Sequence, residues 1–519
     1  MAAADQALAA PQSAWGADAL ASIVVFLVAL PLCMGISIAS GMPPTAGIIT
    51  GIIGGIVVGS IAGSPLQVSG PAAGLAVLVA QLVKDFGAEM LGTIVLVAGL
   101  IQFAAGTLKL GQWFRAVSPA VIHGMLAGIG ILIFASQFHI MLDGKPIGTG
   151  IQNLLGIPKA IFDAVSAGDF HLQAGEIGLL TIATIFAWAA YAPKSLKVLP
   201  APLVGVIVGM AAAAIFHLDA IKHVQVPDNI WATSIFPSAE KFNRFISDSH
   251  MIIGAIAIAF IASAETLLCA TAVDQMHPGP RTKYDQELTG QGVGNTICGF
   301  LGVLPMTGVI VRSSANVEAG AKTRASAILH GIWLCLFASL LPWTLNYIPL
   351  SALAAVLVFT GYKLAYPKIV PTLMQFGKAE VFIYAATIAM IVSTDLLKGV
   401  LTGLVLSLGK LLYAFSKLDV RAIENTADNR IDLHFNGSAT LVRLPILARE
   451  LEALKPGANV RVHMSELEYI DHACLDLLRS WEKQHKATGG TLTLDWQQLE
   501  GKYHKRHGTE ASAKGGVST

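Results

Sequence analysis

Charged side chains are scarce in this chain. Aspartate, glutamate, lysine and arginine make up only 13% of its 519 residues, whereas hydrophobic residues make up 54%. So low a charge content excludes an ordinary soluble enzyme and is typical of a protein that crosses a membrane many times. The formal net charge of +1 favours no highly charged partner, and we expect the lipid bilayer rather than nucleic acid as its surroundings.

Cysteine is also rare, and the residue sets that carry enzyme chemistry are missing. The five cysteines are scattered without a C-x-x-C pair, which argues against a disulfide framework and a cysteine metal site. We recognise no nucleophile–base set, metal cluster or phosphate loop, so we expect no enzymatic activity, cofactor or metal. The first twenty residues lack the basic region of a cleaved signal peptide, so the first apolar segment should remain as a membrane helix.

Apolar runs of membrane-spanning length recur along most of the chain. We predict fourteen membrane segments, at about 18–40, 47–62, 70–84, 91–108, 118–138, 175–192, 202–217, 251–271, 289–302, 309–320, 325–346, 351–366, 379–395 and 397–416. An even number places both termini on one side. The short loops on that side carry the bases Lys109, Arg115, Lys194, Lys197, Arg281, Lys283, Lys322, Arg324, Lys363, Lys368 and Lys378. The positive-inside rule then makes both ends cytoplasmic, in a multi-pass protein of the inner membrane.

Two segments are too short to span comfortably, and they occupy corresponding places. They are 70–84 and 309–320, the third of the first seven segments and the third of the second seven. Short, Pro/Gly-interrupted segments in matching positions are typical of inverted repeats. We therefore expect a seven-plus-seven inverted repeat, with one repeat at about 18–217 and the other at about 251–416.

These two short segments predict an anion site. In the first, Pro65 to Pro71 is typical of an extended piece that ends in a helix start, with Ser69 as the N-cap and Pro71 in the first turn. In the second, Val303 to Thr307 is extended and the helix begins at Gly308. If the two half-helices meet head to head, their free backbone N–H groups and positive dipole ends converge on one point.

Two isolated charges lie near this point. Glu265 is in the middle of the apolar run 251–271, where a carboxylate costs on the order of 3 kcal/mol unless it faces a cavity or a partner. Arg312 is one turn into the second half-helix and would add a permanent positive charge. Beside a bound anion, Glu265 must be protonated or paired with Arg312, and Cys269, one turn further, would line the same cavity. The alternatives are a structural ion pair for Glu265 and an interfacial anchor for Arg312.

After about residue 416 the sequence becomes mixed and charged. Residues 459–464 predict a strand, 474–486 an amphipathic helix and 491–494 a second strand, which is an α/β order. We expect a separate cytoplasmic domain over 420–519, and at the other end a short cytoplasmic segment over 1–17.

Four stretches resemble known families. VRVHMSELEYIDHACLDLLRSWEKQHKATGGTLTL is similar to the strand, loop and helix of a STAS domain, with Asp471 in the signature loop. DALASIVVFLVALPLCMGISIASG, LTGQGVGNTICGFLGVLP and VRSSANVEAGAKTRAS resemble the SulP sulfate-permease family of anion transporters. The resemblance implies an α-helical polytopic fold in which a core domain moves against a gate domain, usually in a homodimer. It also implies a substrate site between the starts of segments 3 and 10. The predicted substrate-binding residues are Leu32, Ile36, Ser69, Gly70, Ala72, Gly308, Val309, Ile310 and Arg312, with Glu265 and Cys269 as coupling residues.

Departures from the family pattern bear on the substrate. Glu265 and Cys269 stand where sodium-coupled bicarbonate members carry Asp and a hydroxyl, which disfavours a sodium site, and Leu32 replaces a frequent Gln. In the STAS loop, His472 and Ala473 replace the phosphorylated Ser of bacterial relatives, so a phosphoserine switch is not supported. Segment 1 and the phrase SGPAAG resemble a bacterial branch often found with carbonic anhydrases, which favours bicarbonate over sulfate and a link to such an enzyme.

The sequence thus favours a secondary active transporter of a small inorganic anion, bicarbonate first, working by elevator-like alternating access with proton symport as an option. Sulfate or dicarboxylate transport and anion exchange stay open. A nucleobase permease is disfavoured by Arg312. A sensor or channel that uses the STAS domain as its output is a third hypothesis.

Overall fold

The computed structural model describes residues 11–499 apart from 115–117, 167–168, 194–195, 197–198, 219–220, 228, 416, 426–429 and 497–498. The orienting bases Arg115, Lys194 and Lys197 lie outside the described residues, as do most of the N-terminal segment and the polar tail. The chain forms two compact units, Met1–Leu404 and Val405–Thr519, and each is described by itself.

Long apolar helices build the first unit, and the last of them continues past Leu404 into the second. In chain order the helices are α1 (Pro11–Ala39), α2 (Pro44–Ile53), α3 (Gly59–Ile61), α4 (Ala73–Phe86), α5 (Ala88–Thr107), α6 (Gly111–Phe114), α7 (Pro119–Met141), α8 (Gly150–Ser166), α9 (Asp169–Tyr191), α10 (Ala201–Ile215), α11 (Ala239–Ser247), α12 (Ser249–Met276), α13 (Tyr284–Leu301), α14 (Ile310–Glu318), α15 (Ala325–Leu340), α16 (Pro342–Leu345), α17 (Leu350–Ala365), α18 (Val370–Gln375), α19 (Lys378–Ser393) and α20 (Leu396–Phe415). A π-helical turn, Gly54–Val58, joins α2 to α3. Each of the fourteen predicted segments overlaps helix, although 47–62 covers α2, the π-helical turn and α3, and 325–346 covers α15 and α16. Eight helices in the described residues are long and apolar enough to cross a membrane.

The two short predicted segments are half-helices. Helix α4 has 14 residues and α14 has 9, and each follows a three-residue strand, β1 (Ser69–Pro71) or β2 (Met306–Gly308). The same strand-then-helix order at the same place in each set of seven is what an inverted repeat requires.

The membrane helices pack in two groups. We call α1–α5 with α12–α15 the core group, in which α5 packs along α13 and α1 contacts α14 and α15. We call α7–α10 with α17 and α19 the gate group, in which α7 packs against α17 and α19, and α9 against α10. Each group contains helices from both sets of seven, so the two repeats interleave.

Glycines bring backbones together inside each group. In the core group, a Cβ on Gly99 would lie 2.3 Å from a backbone nitrogen of α13. In the gate group, a Cβ on Gly130 would lie 2.7 Å from the carbonyl oxygen of Gly361. Between the groups, Gly35 of α1 faces only the side chain of Leu357 on α17, at 3.3 Å. Small residues permit this close approach of helices in an apolar environment, where packing rather than the hydrophobic effect holds helices together.

The second unit is an α/β sheet. Its strands are β3 (Leu418–Asn425), β4 (Arg430–Ala439), β5 (Asn459–Ile470) and β6 (Thr491–Thr493), and its helices are α21 (Leu444–Glu452) and α22 (His472–Ala487). The order is β3-β4-β5-β6, with β3 antiparallel to β4 and the other pairs parallel. Alternate residues of β4 are buried in a core shared with both helices, as the period of two requires. The predicted strand, helix and strand coincide with β5, α22 and β6.

Candidate anion site

The centre of the core group is a two-stranded ribbon. Strands β1 and β2 pair antiparallel, with Ser69 opposite Gly308 and Pro71 opposite Met306. Backbone N–H and C=O groups at membrane depth must find partners within the protein, and two extended segments satisfy one another by pairing. The prediction that Ser69 caps the first half-helix and that Pro71 lies in its first turn is therefore wrong, because both residues belong to β1. Gly308 likewise belongs to β2 and not to the helix.

Both half-helices begin with uncapped N-termini. The N-cap of α4 is Ala72 and that of α14 is Val309. Neither side chain has an oxygen that could accept hydrogen bonds from the first-turn N–H groups, so these donors stay available. Because the strands that precede them are paired, the two helix starts lie close together at opposite ends of one ribbon. Each start carries the partial positive charge of a helix N-terminus.

Arg312 brings a full charge to this ribbon. Its side chain is fully buried, so the alternative of an interfacial anchor is wrong. Nη2 donates to the Sγ of Cys33 on α1 at 3.3 Å, whereas Nε and Nη1 have no hydrogen-bond partner among the described residues. A Cβ added to Gly70 would lie 2.1 Å from Nη1, so the guanidinium lies directly against β1. It offers a buried cation with unused donors, which is what an anion requires.

Glu265 lies against the other half-helix. A Cβ on Gly74, in the first turn of α4, would be 2.6 Å from its Oε2 and 2.9 Å from its Oε1. Its Oε2 has no hydrogen-bond partner among the described residues and does not meet the equally unpartnered Nη1 of Arg312. The structural ion pair considered for Glu265 is thus not formed with Arg312. The carboxyl group instead lies against the first turn of α4.

The remaining predicted site residues are spread around these two charges. Leu32 and Ile36 are buried on α1, on either side of Cys33 in the chain. Cys269 is buried and packs with its Sγ 3.6 Å from the Oγ of Ser313. The Oγ of Ser69 accepts a hydrogen bond from Gln291 at 2.6 Å, so its hydroxyl is already engaged. Ala72, Gly308, Val309 and Ile310 lie at the ribbon and the helix starts, and the side chain of Ile310 is exposed.

A polar ladder on α13 holds the ribbon in place, and the sequence reasoning missed it. The Oε1 of Glu287 accepts from Gln67 at 2.9 Å and from Gln291 at 3.1 Å, and its Oε2 accepts from the N–H of Ser64 at 2.8 Å. One turn beyond Gln291, Asn295 exchanges two hydrogen bonds with the backbone of Met306 in β2, at 2.7 and 3.0 Å. The recurrence of Glu287, Gln291 and Asn295 at intervals of four, on one face of the helix, is the signal that could have found this ladder.

Other side chains fix the ends of the ribbon. The hydroxyl of Thr266, on α12 next to Glu265, accepts from the N–H of Gly308 at 3.1 Å. The hydroxyl of Ser313, next to Arg312, accepts from the N–H of Val68 at 2.9 Å. The residues beside both candidate functional charges therefore position the backbone of the site. In the described part of the chain, no group of three or more His, Cys, Asp or Glu side chains could hold a metal ion.

Residues 16–387 match the sulfate permease family. The chain belongs to that family. The family consists of membrane anion transporters, so this protein is a multi-pass membrane transporter of anions and not an enzyme. The match covers most of the first unit, ending within α19, and stops before the C-terminal sheet.

Relatives and solved structures agree with this assignment. The chain is 28% identical over 398 residues to "Putative sulfate transporter YvdB" of Bacillus subtilis (strain 168), covering 75% of this chain and 72% of the relative. It is 22% identical over 425 residues to the bicarbonate transporter BicA of Picosynechococcus sp., covering 79% and 72%.

The fold resembles two solved transporters. One is the transmembrane domain of a cyanobacterium bicarbonate transporter BicA, with TM-score 0.66, 24% identity and coverage of 74% of this chain and 97% of that one. The other is the murine Solute Carrier 26 family member A9 anion transporter in the inward-facing state, with TM-score 0.76, 14% identity and coverage of 95% and 87%.

Proposed function

We propose that the protein is a secondary active transporter that carries bicarbonate across the cytoplasmic membrane. The observation that carries this proposal is the buried guanidinium of Arg312, whose Nε and Nη1 have no partner in the described residues, beside two uncapped half-helix N-termini. An oxyanion would accept hydrogen bonds from these donors and neutralise their charge.

The charge of the site depends on whether Glu265 is protonated. Arg312 contributes one positive charge and each half-helix roughly half a charge, so together they supply about +2. An ionised Glu265 would reduce this to about +1, which balances bicarbonate, whereas a protonated Glu265 leaves about +2, which balances sulfate. Sulfate, with two negative charges, would suit the same site only with Glu265 protonated, because two anions at one helix terminus repel each other. Proton-coupled sulfate transport is therefore the second candidate function, and sulfate transporters are among the relatives.

The packing supports an elevator-like movement. Every described residue of the candidate site, from Cys33 to Arg312, belongs to the core group. The ribbon, the polar ladder and the glycine contacts tie that group together, so it can carry the site as one body past the gate group. In this proposal both termini are cytoplasmic and two copies form a homodimer.

The C-terminal unit adds a regulatory domain in this proposal. Its α/β order and the residues Asp471–Ala473 at the start of α22 resemble a STAS domain, and Asp471 caps α22 by accepting from the N–H of Cys474 at 2.9 Å. A domain tethered behind α20 can bias gating or assembly without touching substrate.

Counterflow in proteoliposomes tests the transport function. Vesicles containing the full chain are preloaded with unlabelled bicarbonate, sulfate or a dicarboxylate, and uptake of each labelled anion is measured with and without imposed proton and sodium gradients. We expect saturable bicarbonate counterflow that sulfate inhibits weakly near neutral pH. Accumulation of sulfate alone, driven by a proton gradient, would favour the second candidate. No counterflow of any of the three anions would contradict the proposal.

A further inference from the structure

A buried imidazole ring lies beside the candidate site. His330, on α15, is fully buried. Its Nδ1 lies 2.7 Å from the carbonyl oxygen of Ala327, whereas its Nε2 has no hydrogen-bond partner among the described residues. A buried polar atom without a partner has lost its hydrogen bond to water and gained none in return, so its retention calls for an explanation.

The bond to Ala327 fixes the chemistry of the free nitrogen. A carbonyl oxygen only accepts hydrogen bonds, so the proton of the neutral ring resides on Nδ1 of His330. Nε2 then carries a lone pair and can only accept. The Nε2 atom of His330 is therefore a hydrogen-bond acceptor that has no donor among the described residues.

His330 and Arg312 both pack against the same face of the helix Pro44–Ile61. A Cβ on Gly55, in the π-helical turn after α2, would lie 2.8 Å from the Cε1 of His330. A Cβ on Gly51, one turn earlier, would lie 3.9 Å from the Nη1 of Arg312. The ring of His330 and the guanidinium of Arg312 therefore lie against successive turns of the helix Pro44–Ile61.

Among the described residues, no side chain supplies the missing donor to Nε2 of His330. Helix α15 packs on α1 and on the helix Pro44–Ile61. The helix Pro44–Ile61 contains no ionisable residue, and α1 contributes Asp18 and Cys33. The carboxylate of Asp18 is bound to the N–H groups of Lys322 and Thr323, and Cys33 accepts from Arg312.

We propose that His330 selects anions that carry a hydroxyl group. This inference rests on the proposed function, because it assigns a specificity residue to the same anion site. Arg312 would donate to the unprotonated oxygens of bicarbonate, and the Nε2 of His330 would accept from its O–H. Nitrate and sulfate have no hydroxyl, so either would place an oxygen lone pair against that of Nε2. A site built to hydrogen-bond a hydroxyl discriminates strongly against analogues that lack it.

A comparison of bicarbonate with nitrate tests this idea on the wild-type protein. The two anions are planar, carry one negative charge and have three oxygens, but only bicarbonate has a hydroxyl. Affinities are measured by competition on the purified full chain, at a pH where bicarbonate predominates. We expect bicarbonate to bind at least about tenfold more tightly than nitrate. Equal affinities would overturn the inference.

Two variants locate the effect in the ring. His330→Asn keeps a donor near Ala327 but removes the acceptor at Nε2, and we expect it to bind bicarbonate about tenfold more weakly with nitrate unchanged. His330→Gln, which can place an amide oxygen near the Nε2 position, should restore part of the preference. If the folded His330→Asn variant bound bicarbonate and nitrate more weakly by the same factor, the role of His330 would be structural and the proposal would be overturned. If both variants unfold, the wild-type comparison decides alone. Failure of the wild type to bind either anion would overturn the proposed function itself, and this inference with it.

Discussion

Gly70 offers the sharpest test of the role of Arg312, because a single methyl group displaces the guanidinium without changing any charge. The added Cβ of Gly70→Ala would lie 2.1 Å from Nη1 of Arg312, so the group must retreat by about 1.3 Å to reach the 3.4 Å of an ordinary contact. The atoms that move are the end of a side chain, so the fold should survive at a cost of about 1 to 3 kcal/mol. A displacement of about 1 Å at a binding group can cost up to 100-fold, and we expect anion affinity to fall roughly ten- to a hundredfold.

Two other glycines serve as controls for this measurement. Gly59→Ala, at the end of the same helix as Gly54, meets no atom closer than 3.5 Å and should bind anions like the wild type. Gly54→Ala would place its Cβ 2.5 Å from the backbone oxygen of Ser69 and should lower the unfolding temperature itself. Binding is measured by anion-dependent thermal stabilisation in detergent together with counterflow in proteoliposomes. Wild-type affinity in a well-folded Gly70→Ala protein would refute the assignment of Arg312 to the anion site.

Four further changes have expected outcomes. Arg312→Ala should abolish detectable anion binding by equilibrium dialysis, and Arg312→Lys should recover part of it, because the charge survives without the planar fork. Glu265→Gln should still exchange anions but lose any stimulation by an inward proton gradient; unchanged stimulation in counterflow would place coupling elsewhere. Deletion after Lys417 should preserve anion binding while lowering transport rate or dimer stability, and loss of binding in a folded truncated protein would contradict this. Burial raises the pKa of Cys474 to about 12. In a purified Val405–Thr519 fragment this thiol should therefore resist alkylation until the pH approaches that value or the domain unfolds. Rapid labelling of the folded fragment near pH 8 would contradict the burial of Cys474.

The sequence predicts the helices of this protein well because membrane segments are recognisable as apolar runs. It also makes Arg312 and Glu265 candidate site residues, since an isolated charge in such a run is conspicuous. The pairing of β1 with β2 is not predictable in the same way, because each strand has three residues and its partner lies more than 200 positions away. Local rules therefore put a helix cap at Ser69, where the distant partner keeps the chain extended.

The contact of Arg312 with Cys33 was missed for a different reason. Helix α1 is apolar on all sides, so hydrophobic periodicity does not tell which residue faces the site. Comparison with the family pattern pointed to Leu32, whereas the neighbouring Cys33 accepts the hydrogen bond. The ladder of Glu287, Gln291 and Asn295 was visible as a spacing, but its role appears only once the ribbon it holds is known.

The glycine contacts inside each helix group differ from the glycine contact at the boundary between the two groups. Inside each group, helix backbones are in direct contact at Gly99, Gly130 and Gly361. A small shift of one helix along its axis would therefore cause steric clashes. At the boundary, Gly35 meets the branched, rotatable end of Leu357, which can yield and find a new rotamer as the surfaces pass. Among the described glycines, those inside a group thus hold backbones in direct contact, whereas Gly35 at the boundary meets a side chain that can move, which is what the proposed elevator-like movement needs. A bulky residue introduced at a backbone contact inside a group should destabilise the fold. One introduced at the boundary between the groups should leave the protein folded but lower its transport rate.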